Sequence, residues 1–247
     1  MIYSLLIGRK GSKGFPNKNT FPIFNKKLCE YPLIASKKSN YINRIFVSTD
    51  CPKISKISLK YGATLIERPK YLSTDKALGE DVFEHGYKMI KKITNKNDKE
   101  IELLVLLFAN SATINSKLIN SGIEFLRKNK KFDSAVSTSV YNMWSPLRAR
   151  KLSKDGSLKP FITFKNLSKK KKLNCDRNSQ GDVYFADMSV SVVRPKCLLN
   201  IKNGLLPQKW MGKKIAPIFS NFGCDVDYEW QIPSVKFWIK KNLRKIK

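Results

Sequence analysis

Apolar and polar positions along this chain alternate in a strand-then-helix rhythm. Ile2–Ile7 is a short apolar stretch that suits a buried first strand. Tyr31-Pro32-Leu33-Ile34-Ala35 then starts a helix, with Pro32 near its first turn. Residues 44–50 read as a second strand ending in polar residues. Residues 52–61 space Ile54, Ile57 and Leu59 among lysines and stop at Gly62, a helix C-cap signal. Residues 63–66 give a short third strand. A helix carrying Val82, Phe83 and Met89 follows, and residues 101–108 are continuously apolar, as a central strand would be. An amphipathic helix over 117–130 precedes a fifth strand over 133–137. Three β-then-α units within the first 65 residues or so predict a parallel, right-handed sheet. The expected fold is a three-layer α/β domain with a mostly parallel central sheet and helices on both faces. No repeat, linker or second hydrophobic core marks a domain boundary within the 247 residues.

The pattern weakens over residues 141–180. Asp155-Gly156 predicts a hairpin turn, and Lys169 to Lys172 form a charge run expected to be a mobile, solvated loop. A final helix from about Tyr228 to Lys245 buries Ile232, Val235, Trp238 and Ile239. No apolar run approaches the ~20 residues needed to span a bilayer, and no signal peptide is expected at the start. Five widely spaced cysteines without a Cys-x-x-Cys predict reduced thiols in a cytoplasm and no zinc site.

Charge changes the picture. With 48 Lys and Arg against 19 Asp and Glu, the net charge is +29. That balance raises RNA binding as a rival function, although the basic residues are spread along the chain and no RNA-binding signature appears. It also favours attraction of anionic substrates. The chemistry concentrates in Gly8-Arg9-Lys10-Gly11-Ser12-Lys13-Gly14-Phe15-Pro16-Asn17-Lys18-Asn19, directly after the first strand. Open α/β sheets place ligands at such strand ends. Glycines such as Gly11 let backbone N–H groups approach a phosphate, and Arg9, Lys13 and Lys18 add the positive charge a triphosphate requires. Neither a P-loop nor a Gly-x-Gly-x-x-Gly fingerprint is present. A solvated basic turn is the plain alternative.

The order Arg-x-Gly-Ser-Lys-Gly-x-Pro-x-Lys-Asn resembles the signature of the acylneuraminate cytidylyltransferases, the CMP-sialic acid synthetases and their relatives. Val47-Ser48-Thr49-Asp50, Arg68-Pro69 with Leu72 and Asp75, and Gln180-Gly181-Asp182-Val183-Tyr184 follow in the family's order. The resemblance implies that Arg9 and Lys18 bind the phosphates of CTP and stabilise the leaving pyrophosphate. Ser12 and Asn19 would help hold the nucleotide, and Arg68 would contact the base or ribose. Asp75 is either part of that site or the N-cap of the next helix. The family's Leu-Gln-Pro-Thr-Ser-Pro-Leu-Arg is replaced by Leu107-Phe108-Ala109-Asn110-Ser111-Ala112-Thr113-Ile114, which removes two polar groups on the sugar side. Asn110 or Ser111 could supply replacements. Arg148, where the family carries a Lys, and Gln180, where it carries an Asn, are the other sugar-side candidates. The resemblance further implies an arm over 141–180 that reaches a partner subunit, and hence a homodimer.

Asp225-x-Asp227 is the best carboxylate pair among few acids. Alternation along a strand would set both on one face, about 7 Å apart at Cα, where they repel unless a cation lies between them. The family has Asp-Ile-Asp here, which implies Mg²⁺; a turn and helix cap is the plain reading. The single histidine, His85, lies mid-helix and is read as structural. The implied reaction is CTP plus a 2-keto acid sugar giving a CMP-sugar and pyrophosphate. An eight-carbon acid sugar of lipopolysaccharide, or another nucleotide, is the alternative within enzymes. No nucleic acid and no membrane is expected as a partner.

Overall fold

The computed structural model describes residues 1–162 and 174–246. Its centre is a seven-stranded sheet. The strands in chain order are β1 (Ile2–Ile7), β4 (Arg44–Thr49), β5 (Thr64–Glu67), β6 (Leu103–Phe108), β7 (Ser134–Val140), β10 (Tyr184–Val193) and β11 (Ile215–Phe219). Across the sheet they run β11-β7-β10-β6-β1-β4-β5. Only β10 is antiparallel to its neighbours; the other pairings are parallel. Two small hairpins lie outside the sheet, β2 (Pro22–Ile23) with β3 (Lys26–Lys27), and β8 (Arg150–Leu152) with β9 (Leu158–Pro160).

The expected three layers are present, and strand alternation builds them. From β1, Ile2 and Leu6 face one core, while Tyr3, Leu5 and Ile7 face the other. From β6, Leu103, Val105 and Leu107 join the first core, and Leu104 and Leu106 the second. Helices α1 (Glu30–Lys37), α2 (Pro52–Lys60), α4 (Ser116–Lys128) and α6 (Ile232–Ile246) cover the first face, through Leu33, Ile54, Ile123 and Val235 among others. Helices α3 (Gly79–Thr94) and α5 (Pro195–Leu199) cover the second, with Phe83, Tyr87 and Leu198 buried. The most apolar strand, β6, is the middle one of the seven.

Two local readings are corrected. Asp75 does not cap a helix. It lies in a turn, and α3 begins at Gly79 with Leu78 as N-cap, whose N–H reaches the Asp81 carboxylate at 3.4 Å. Around Gln180, a 3-10 turn over Arg177–Gln180 precedes β10, which extends to Val193. The final helix starts later than Tyr228. A 3-10 turn at Glu229–Gln231 comes first, because the Gln231 side chain turns back to accept from the N–H groups of Asp227 and Tyr228 at 2.7 and 2.8 Å. The predicted hairpin at Asp155-Gly156 is present as β8–β9, with Gly156 at positive φ. The Lys169 to Lys172 run lies outside the described residues.

Candidate active site

Strands β1, β4 and β6 run parallel and side by side, so their C-terminal ends open onto one edge of the sheet. The loop of residues 8–19 leaves from the end of β1. A Cβ on Gly8 would come within 2.5 Å of the Ala109 side chain, so only glycine lets the chain turn out between β1 and β6. Gly11 takes φ +71°, and Asn17 φ 57°. The buried Asn19 amide donates to the Arg9 carbonyl at 3.1 Å and closes the loop on itself. Lys10 N–H donates to Asp50 at 2.8 Å and ties the loop to the end of β4. Gly14 touches the far wall, where a Cβ would meet the Asp227 carbonyl at 2.9 Å and the Tyr228 ring at 3.2 Å.

These contacts enclose a cleft of about 400 Å³. Arg9, Ser12, Lys13, Lys18, Asn19, Arg68, Asn110 and Asp227 supply its polar lining. Phe108, Leu72, Val82 and Ile7 supply apolar wall. Three of the loop cations each hold a carboxylate. Arg9 and Lys13 both pair with Asp75, at 2.6 and 2.7 Å, and Lys18 pairs with Asp227. Lys13 and Arg9 hold the Asp75 carboxyl below the usual aspartate range. Arg68 is buried and donates to the carbonyl and hydroxyl of Ser48; burial lowers its pKa to about 10, and it stays a cation.

Asp225 and Asp227 flank Val226, which is fully buried. The expectation that a strand carries them is corrected: they sit on an extended stretch after β11 that is assigned to no strand. Side chains and backbone from the end of β6 hold this stretch instead. Val226 N–H donates to the Asn110 carbonyl at 2.9 Å, and the Asn110 amide donates to the Val226 carbonyl at 3.1 Å. Cys224 N–H donates to the Thr113 hydroxyl at 3.0 Å. Thr113 in turn meets Ser189 at 2.9 Å, beside the buried Asp187, which accepts from Ser137, from Ser139 at 2.6 Å and from Ser189 N–H at 3.1 Å. Burial and the adjacent Asp227 push the Asp225 carboxyl above the ordinary range. Two hard oxygen donors that repel each other in a partly buried place suit Mg²⁺, which is held by one or two carboxylates plus substrate phosphates. Among the described residues no larger acidic or His/Cys cluster exists to hold a metal.

The sequence of the chain matches the model of a family described as Cytidylyltransferase over residues 5–158. The chain belongs to the cytidylyltransferase family. It is 28% identical over 141 residues to the N-acylneuraminate cytidylyltransferase of Escherichia coli O18:K1:H7, a match covering 57% of this chain and 32% of that protein. It is 25% identical over 243 residues to the pseudaminic acid cytidylyltransferase of Campylobacter jejuni subsp. jejuni serotype O:2, covering 96% of both. The chain spans about a third or less of the length of the first relatives it matches. In fold it is similar to CMP:2-keto-3-deoxy-manno-octonic acid synthetase complexed with CTP, with a TM-score of 0.66 over 98% of this chain and 99% of that one, at 13% identity.

In this member of the family, Arg9, Lys13, Lys18, Asn19, Arg68 and Asn110 converge on one cleft, with Asp227 on its wall. Arg148 and Gln180 do not line it. Arg148 is exposed beside the hairpin and donates to the Cys175 carbonyl at 3.1 Å; Gln180 donates to the Asn142 carbonyl at 2.8 Å. His85 lies outside the cleft, in a depression behind the 70–78 turn, and burial lowers its pKa. Sequence reasoning missed Phe108, Tyr228, Thr113 and Asp187. Tyr228 directly follows the acidic pair, which was the one available signal. Thr113 and Asp187 act through contacts between residues 48 apart or more in sequence, apart from the Asp187–Ser189 bond within β10, and no local pattern marks them.

Proposed function

We propose that this protein transfers the cytidylyl group of CTP to the anomeric hydroxyl of a 2-keto acid sugar, releasing pyrophosphate. The observation that carries this reading is the meeting of Arg9, Lys13, Lys18 and Asp227 at one strand-end cleft, with Asp225 two residues before Asp227. The names of the relatives, N-acylneuraminate and pseudaminic acid cytidylyltransferase, support it. In this reading the anomeric hydroxyl gives up its proton to solvent as its oxygen attacks the α-phosphorus in line. A P–O bond forms to the sugar as the bond to the bridging oxygen of pyrophosphate breaks. Arg9 and Lys18 hold the phosphates and neutralise charge on the leaving group. The backbone of the glycine loop, fixed by Asn19, orients the triphosphate. Asp225 and Asp227 would hold Mg²⁺, which would supply positive charge to offset that of the phosphates.

Arg68, pinned by Ser48 near Leu72 and Ala77, would contact the base or ribose. Arg148 and Gln180 would reach the acceptor only from the arm side, with Arg148 offering a planar fork to a sugar carboxylate. The exposed Leu152, Leu158 and Phe161 of the arm suit pairing with a second copy, and a homodimer in the cytoplasm is part of the proposal. Static light scattering at several concentrations tests the dimer. A pyrophosphate-release assay across four NTPs and a panel of eight- and nine-carbon acid sugars tests the reaction. Release restricted to CTP with an acid sugar supports the proposal; release with no acceptor preference overturns it.

A further inference from the structure

Asp75 lies beside the cleft, against two of the cations that line it. Its carboxylate meets the loop cations one oxygen each, Oδ1 to Arg9 Nη1 at 2.6 Å and Oδ2 to Lys13 Nζ at 2.7 Å. A phosphoryl group would present its oxygens to the same two cations in the same way. Lys18, the third loop cation, is held separately by Asp227. Asp75 sits in a turn whose own bonds are local: Ala77 N–H to the Thr74 carbonyl at 3.2 Å, and the Thr74 hydroxyl to the Tyr71 carbonyl at 3.2 Å. Leu72 anchors one end of this wall in the core and Val82 the other, while Tyr71 and Leu78 are exposed. The two ion pairs therefore fasten the turn to the phosphate loop across the mouth of the cleft.

A carboxylate and a polyphosphate cannot share Arg9 and Lys13 without strong like-charge repulsion. We infer that Asp75 is a specificity-determining residue that competes with the leaving pyrophosphate for Arg9 and Lys13, so that only ligands carrying that pyrophosphate displace it. This rests on the proposed reading of the cleft, in which those cations hold the pyrophosphate end of CTP. Two consequences follow from the geometry. CTP must break both ion pairs to bind, which lowers its affinity. After transfer, Asp75 returns to the same cations and aids pyrophosphate release. A CMP moiety, which lacks the pyrophosphate, does not have to displace it.

Calorimetric titration of pyrophosphate, CTP and CMP in EDTA, on the wild type and on Asp75→Asn, tests the inference. Asp75 is partly exposed and in a turn, so Asp75→Asn is expected to fold; Asp75→Ser, titrated alongside, guards against an effect peculiar to the amide. Removal of two partly exposed ion pairs predicts pyrophosphate and CTP binding tighter by about fivefold, with CMP changed less than about twofold. In a Lys13→Ala background the gain should shrink. Unchanged or weaker pyrophosphate binding by both variants overturns the inference, as does equal tightening for CMP. Failure of the wild type to release pyrophosphate from CTP with any acid sugar is a separate result. It would overturn the proposed reaction while the titration still decided whether Asp75 competes with phosphate.

Discussion

In the proposed reading, Lys18 and Arg9 carry the heaviest chemical demand of any single residues. Truncating either to Ala removes a fixed cation from the phosphates and predicts a loss of about 100- to 1,000-fold in kcat. Thermal stability should change little, since both side chains lie on the cleft rather than in the core. Steady-state pyrophosphate release with parallel thermal melts checks this. Asp225 makes the opposite kind of forecast. Burial and Asp227 raise its carboxyl, so the ligand-free fold favours the protonated form. That contribution is fully present below the unfolded value and is lost as pH rises through the folded one. At pH 7 the ionised group is a cost, so Asp225→Asn should melt higher than wild type in EDTA while losing activity by orders of magnitude. A lower melting temperature would show that the carboxylate is structurally required. At this scale the sequence was legible where backbone geometry demanded a residue type, as at Gly11, and where cations clustered, as at Arg9, Lys13 and Lys18. It was less legible at Asp75, where a helix cap and an ion-pair partner look alike until the turn is seen.

Elements set where those residues meet. The altered stretch after β6 was read as a loss on the sugar side. In the fold, Asn110 and Thr113 fasten the acidic stretch through main-chain hydrogen bonds, so the departure from the family pattern lies where β6 grips residues 224–226. Asp133 plays a comparable part at the other end of the sheet. It accepts from Lys213 and Lys214 N–H at 2.9 Å each and pairs with Lys196 at 2.5 Å, joining β7, β11 and α5. Burial works against its charge, but Lys196 and the two N–H groups prevail and hold its carboxyl below the ordinary range. A lowered carboxyl pKa gives stability present above the unfolded value and lost as pH falls through the folded one. Asp133→Asn should therefore cost about 2 kcal/mol at pH 7, and the gap to wild type should narrow below about pH 4. Urea melts at both pH values measure it. Strands β1, β4 and β6 were readable because continuous apolar runs leave little choice for a buried parallel strand. The start of β10 and the stretch before α6 were not, because hydrogen bonds to distant residues decide them: Val183 N–H donates to the Asn142 side-chain oxygen, and Val226 N–H to the Asn110 carbonyl.

For the molecule as a whole, the +29 charge is the property most open to a different function. An RNA-binding protein would show affinity with a steep salt slope and no turnover. In the cytidylyltransferase reading, the same charge steers anionic substrates, so kcat/KM for CTP should fall with ionic strength while kcat holds. In the proposed reading, the cations of the cleft serve a nucleotide. The most direct measurement is phosphorus NMR of CTP incubated with the protein, Mg²⁺ and a nine-carbon 2-keto acid sugar. The account predicts a new phosphodiester resonance and pyrophosphate appearing in equal amounts, both abolished by Lys18→Ala. Pyrophosphate with CMP and no diester, or no change in the CTP spectrum across the acid-sugar panel, would contradict it.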